Sequence, residues 1–180
     1  RRFTREVDPA LLAKIKRRGL RYVRRFRNAD WNPGHPDLEV LQRSWNDAFG
    51  TDDKAQARVK CEASGSECEW DEHGLAASFR TKGFEQHPIT GEEVWFNAIS
   101  AFDLNRVSVG ERFAALYERH YGKEHPWPQG VTYADGEPIS EEDIHSLYPL
   151  MADVTVTPHW ERGDVHLLDN ILTGHGRATF

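Results

Sequence analysis

The sequence predicts a mainly β chain with peripheral helices (α+β), its short strands packed as a jelly-roll core. Three observations carry this. Short apolar or alternating runs of strand length recur at residues 20–26, 67–70, 76–82 and 94–97. Turn signals separate them, among them Asp71-Glu72-His73-Gly74, His87-Pro88-Ile89-Thr90-Gly91 and Tyr133-Ala134-Asp135-Gly136-Glu137-Pro138. Helices with capping residues flank these runs, and no repeat, low-complexity tract or linker divides the 180 residues.

In chain order, Asp8-Pro9 starts a helix, since Asp accepts from free amides and Pro suits the first helical position. Leu11, Leu12 and Ile15 form its apolar stripe and Gly19 ends it. The strand over 20–26 puts Leu20, Tyr22 and Phe26 on one face, and the Asn-, Pro- and Gly-rich stretch 28–36 is a loop. Ser44 caps a short helix. Thr51 caps the next, with Asp52 and Asp53 in its first turn, Ala55, Val59 and Ala63 inward and Gly65 closing it. His87, beside Pro88 in a turn, reads as solvent-exposed. A helix over 110–121 buries Phe113, Leu116 and Tyr117, with His120 and His125 as surface or packing residues. Ser140 caps an acidic-first helix running to about Met151, and Val154 and Val156 alternate on a strand leading into the C-terminal segment.

Composition narrows the classes. A chain of this length suits one domain that buries roughly 70% of its unfolded surface. Hydrophobic content of 38%, with mean hydropathy −0.70, describes a globular protein, and no apolar run approaches the ~18 residues of a membrane span. Two cysteines, Cys61 and Cys68, give no disulfide framework and predict a reducing, cytoplasmic setting. They lack the short spacing of a zinc site with His73. Residues 1–27 hold 11 of the 23 lysines and arginines against two acids. That bias raises a nucleic-acid reading, but no recognition module accompanies it, so the expectation is a solvated helix and strand face, or a surface that pairs with the acidic remainder. With Met151 the single methionine, the chain reads as an excerpt.

The chemistry concentrates near the end. Residues 161–164 form a turn around Gly163; residues 165–169 read as a short buried strand and 171–175 as a second one. His175 then stands between Gly174 and Gly176, where missing side-chain bulk admits a ligand or metal. Imidazole is the commonest protein metal donor, yet one histidine makes no site, and spacing alone favours a structural histidine bonded to a carbonyl.

Three stretches occur in a telling order: Ser44-Trp45-Asn46-Asp47-Ala48-Phe49-Gly50-Thr51-Asp52-Asp53, then His87-Pro88-Ile89-Thr90-Gly91-Glu92-Glu93-Val94-Trp95-Phe96-Asn97. The third is Gly163-Asp164-Val165-x-Leu167-Leu168-Asp169-Asn170-x-Leu172-x-Gly174-His175-Gly176-Arg177. Together they resemble the TauD/TfdA-like Fe(II)/2-oxoglutarate-dependent dioxygenases, in the branch of syringomycin-biosynthesis hydroxylase and clavaminate synthase-like proteins. The resemblance implies a double-stranded β-helix of which residues 1–180 are a central and C-terminal fragment. It implies a non-haem oxygenase using Fe(II), 2-oxoglutarate and O2 on a small polar or carboxylate-bearing metabolite, with hydroxylation as the outcome. His175 is then an iron ligand, Arg177 a cosubstrate-binding candidate, Trp95 and Asn97 pocket residues, and Asp169 and Asn170 orient His175. The family's first histidine and carboxylate precede Arg1 and its usual 2-oxoglutarate arginine follows Phe180, so the fragment alone is expected to be inactive. The formal His35-Pro36-Asp37 match lies on a loop, where the family carries no ligand pair. The alternative is a catalytically silent jelly-roll domain that binds a ligand or partner.

Overall fold

A computed structural model describes residues 2–31, 34–36, 39, 42–121 and 126–176. Helices α1 (Arg2–Glu6) and α2 (Pro9–Arg18) lead into β1 (Leu20–Arg27). Then come α3 (Trp45–Phe49), α4 (Lys54–Ala63) and strands β2 (Glu67–Asp71), β3 (Gly74–Thr81), β4 (Phe84–Gln86) and β5 (Glu93–Trp95). α5 (Ile99–Phe102), α6 (Arg106–Tyr121), β6 (Gln129–Tyr133), α7 (Glu141–His145) and α8 (Leu147–Val154) follow. The class is α+β with antiparallel sheets, as the pattern of runs and turns predicts, but the expected mainly β balance is not met, since more of the described residues lie in helices than in strands. One sheet has the order β2-β3-β1-β6 and the other pairs β4 with β5.

Local chemistry explains most of the elements. Asp8 accepts from the amides of Ala10 and Leu11, with Pro9 at the first helical position, and α2 buries Leu11 and Ile15. Ser44 and Ser140 cap α3 and α7 by accepting from Asp47 and Asp143 amides. The β2–β3 corner closes where Asp71 Oδ1 takes the amides of His73 and Gly74. Tyr22 crosses the central strand, stacked on Phe79 (5.0 Å) and edge-on to Phe102 (5.1 Å), with its hydroxyl accepting the Ala98 amide at 2.8 Å.

Several expectations are corrected. The cap of α4 is Asp53, and Thr51 only receives the Asp53 amide. Packing against Trp45, Cys68 and Leu75 turns Ala57 and Cys61 inward, while Val59 is 65% exposed. The single helix expected from Ser140 breaks at Ser146 into α7 and α8, and Val154 ends α8 instead of entering a strand with Val156. Cys61 and Cys68, expected as free thiols, are bonded to each other, because α4 packs back on β2 and buries both beneath Trp45 and Leu75. The premise for a reducing compartment is therefore not met.

Among the described residues the core has three parts. The largest gathers Val7, Leu11, Ile15, Leu20, Tyr22 and Phe84 with Val131 and Tyr133 of β6 and Ile99, Ile144 and Leu147 of the later helices. The second surrounds the cysteines, and the third joins Tyr117 and Tyr121 of α6 to Trp31 and Trp127. The N-terminal cations meet acids from later in the chain: Arg18 holds Asp135 through two bonds, Lys14 reaches Asp143 at 2.9 Å, and Arg2 and Lys16 pair with Asp153 and Glu93. No described helix is long and apolar enough to cross a membrane.

Burial raises the Tyr22 phenol to about 12. A phenol raised in the folded state leaves stability intact below its ordinary value near 10 and removes it as pH climbs towards 12. The loss is about 1.4 kcal/mol per pH unit. Followed by phenolate absorbance, the folded protein should withhold Tyr22 until alkaline unfolding, and the Tyr22→Phe variant should lose less stability across that window. Ionisation of every tyrosine by pH 11 in folded protein would contradict this.

Candidate functional site

The stretch carrying the family-like motif lies after α8. Its first turn forms as expected: Gly163 has φ 104, the Asp164 amide donates to the Glu161 carbonyl, and Asp164 Oδ2 takes the Glu161 amide. The two strands expected over residues 165–169 and 171–175 do not form. Val165 and Leu167 are 89% and 98% exposed, and no described strand pairs with either stretch. A strand exists only through a ladder to a neighbour, so apolar character alone cannot make one.

The segment is instead organised by Asp169. Its Oδ1 receives the amides of Ile171 (3.0 Å) and Leu172 (3.2 Å), and its carbonyl receives the Thr173 amide at 2.9 Å. This is a side-chain-closed turn of the kind aspartate favours, and it half-buries Ile171 and Leu172. His175 follows, exposed, with nothing within 4 Å of the position of a Cβ on Gly174 or Gly176. Asn170 lies within the turn and is exposed, and Arg177 lies outside the described residues, as does Asp37 of His35-Pro36-Asp37.

Asp169 has a second partner that sequence reasoning missed. Its Oδ2 lies 2.8 Å from Nε2 of His87, which is only 4% exposed, not solvent-exposed as expected. His87 opens the connection between β4 and β5, where its amide donates to Glu92 and its carbonyl accepts from Gly91. Hydrogen bonding from His87 holds the Asp169 carboxyl below the usual carboxylate range, aided by the Ile171 and Leu172 amides. A signal was present: Thr90 lies three residues after His87 in a tight turn, the spacing at which a backbone amide can reach back to a ring nitrogen.

Trp95 and Asn97 sit on and just beyond β5. The Trp95 ring packs edge-on against Phe3 (5.3 Å) and Phe84 (5.8 Å). The Asn97 amide group donates to the Gly83 carbonyl at 2.9 Å and accepts the Ile99 amide at 3.3 Å, which ties the strand end to α5. A cleft of about 150 Å³ opens between α1 and β5, lined by Thr4, Arg5, Glu92, Glu93 and Val94. It is smaller than a typical metabolite site.

A non-haem Fe(II) oxygenase centre holds its iron through two histidines and a carboxylate on one face. Among the described residues no three His, Cys, Asp or Glu side chains come together to hold a metal ion, so the described donor set does not by itself fit iron. His175 is an accessible imidazole without companions of that kind among the described residues.

Comparison with known proteins supplies the wider context. The chain is 29% identical over 176 residues to the dapdiamide synthesis protein DdaC of Enterobacter agglomerans, a match covering 97% of this chain and 49% of that protein. It is 26% identical over 178 residues to a clavaminate synthase-like protein of Arabidopsis thaliana, covering 98% of this chain and 48% of that protein. The chain thus spans about half the length of the curated relatives it matches. The sequence model of the family described as "Taurine catabolism dioxygenase TauD, TfdA family" matches residues 1–180, and the chain belongs to that family.

Proposed function

We propose that this chain is part of a non-haem Fe(II)/2-oxoglutarate-dependent oxygenase that hydroxylates a small polar or carboxylate-bearing metabolite. The observation that carries the reading is the family match over residues 1–180, together with the accessible His175 between two glycines in the third motif. In this reading the chain is a fragment of a jelly-roll domain. His175 is one iron ligand, and the remaining histidine and carboxylate come from residues outside those described. Fe(II) with 2-oxoglutarate and O2 supplies the oxidising chemistry when bound.

The chain's own residues have narrower tasks. Asp169 and Asn170 shape the turn that presents His175. Arg177, two residues further on, brings a guanidinium suited to a carboxylate of the cosubstrate. Trp95, wedged between Phe3 and Phe84, and Asn97, which holds Gly83 and Ile99, stiffen the wall on the substrate side.

The complete reading frame, expressed with Fe(II) and ascorbate, should release succinate from 2-oxoglutarate when screened across amino acids and related metabolites. His175→Ala should lower that release by about a hundredfold or more, the scale of losing an essential catalytic group. Absence of succinate with every substrate, or release that survives His175→Ala, would overturn the assignment. The first of these results is what a catalytically silent ligand- or partner-binding domain predicts.

A further inference from the structure

We infer that His87 and Asp169 form a clasp that docks the C-terminal motif segment onto the β4–β5 hairpin and so sets where His175 is presented. The protonation of the ring is decided by its neighbours. Nδ1 of His87 receives the Thr90 backbone amide at 3.1 Å, and an amide can only donate, so Nδ1 carries no proton in the neutral ring. The proton is on Nε2, which therefore donates to Asp169 Oδ2 at 2.8 Å. The Thr90 hydroxyl lies 3.1 Å from the same Nδ1 and can donate to it as well.

The carboxylate works in two directions. One oxygen takes the imidazole of a buried residue 82 positions earlier, and the other takes the amides that build the turn leading to His175. Most of residues 155–176 is exposed and none of it lies in a helix or strand, so a charge-assisted bond to a nearly buried ring is a strong local anchor. The motif stretches at 87–97 and 163–177, far apart in sequence, are joined at this contact. His87 is a positioning residue: it acts on His175 through Asp169. The inference does not depend on what His175 binds.

The test uses the 180-residue chain without metal, read by hydrogen exchange of residues 165–176 and by nitrogen NMR of the His87 ring. His87→Asn keeps an acceptor near the Nδ1 position but stops short of Asp169. His87→Gln places an amide nitrogen near Nε2 and can still donate. Asp169→Asn keeps a polar side chain at the turn but cannot both accept from His87 and accept the Ile171 and Leu172 amides. Exchange in 165–176 should rise about tenfold or more in His87→Asn and in Asp169→Asn, the scale of one hydrogen bond to a charged group. The double variant should add little to either, and His87→Gln should stay close to the parent. If His87→Asn also opens the hairpin, Asp169→Asn, altered only on the exposed segment, carries the result. Unchanged exchange in Asp169→Asn, or a neutral ring protonated on Nδ1, would overturn the clasp. Because no readout involves iron or turnover, that failure is separate from failure of the oxygenase reading.

Discussion

Gly74→Ala should destabilise the protein by about 3 kcal/mol, summing the cost of a left-handed backbone for an L-residue and of forced overpacking. Gly74 opens β3 with φ 140, directly opposite Arg27 of the central strand. A Cβ there would lie 2.1 Å from the Phe26 carbonyl oxygen and 3.0 Å from the backbone of Arg27 and Asn28. Those are main-chain atoms in a ladder, so they cannot rotate away; β1 and β3 would have to part. The bond from the Asn28 amide to the His73 carbonyl would go, and the corner built on Asp71 would go with it. Gly91→Ala is the matched control, since its φ of 68 is also positive but nothing lies within 4 Å of its Cβ position. It should cost only about 1–2 kcal/mol, the backbone part alone. Urea unfolding of the two variants separates the effects, and equal midpoints would show that the close approach at Gly74 is wrong.

Ile15→Ala should cost about 2–5 kcal/mol, the range for deleting a buried aliphatic side chain and leaving a cavity. Ile15 is fully buried in the largest core cluster, and its Cγ2 would lie 2.9 Å from a Cβ on Gly83, so the packing there is close. It links α2 to the bend between β3 and β4, where Leu20 closes in from the strand side. The informative comparison is Val59→Ala, because the sequence assigns Val59 to a buried face and the structure leaves it 65% exposed. That substitution should change stability by less than about 0.5 kcal/mol, as exposed positions do. Thermal melts of the pair decide the orientation of α4 as well as the weight of the core. A large loss for Val59→Ala would restore the inward-facing assignment.

Local signals were legible because they arise within a few residues. Asp8, Ser44 and Ser140 cap helices through amides two or three positions on, and the alternation over 20–26 marks a strand whoever its partner is. At α4 the cap was misread by a local contest, in which Asp53 took the role assigned to Thr51, and the inward face was misread because Trp45, Cys68 and Leu75 outside the helix select it. For the candidate site, the order of three motifs led to the family, while the environment of each residue was out of reach. His87 looked exposed because it stands beside Pro88 in a turn, and the turn's next residues, Pro88, Ile89 and Thr90, are exposed while His87 is not.

By itself, then, the amino-acid order determined the helix starts at Asp8, Ser44 and Ser140, the main antiparallel runs, the hairpin corner at residues 71–74 and the family. Each depends on neighbours in sequence or on motif spelling. Only the tertiary structure decided that Cys61 meets Cys68, that Arg18 meets Asp135, that residues 165–175 stay outside the sheets, and that a buried imidazole takes the carboxylate of Asp169. Pairing and burial are properties of distant partners brought together, and a side chain's chemistry follows from that company, not from its position in the chain.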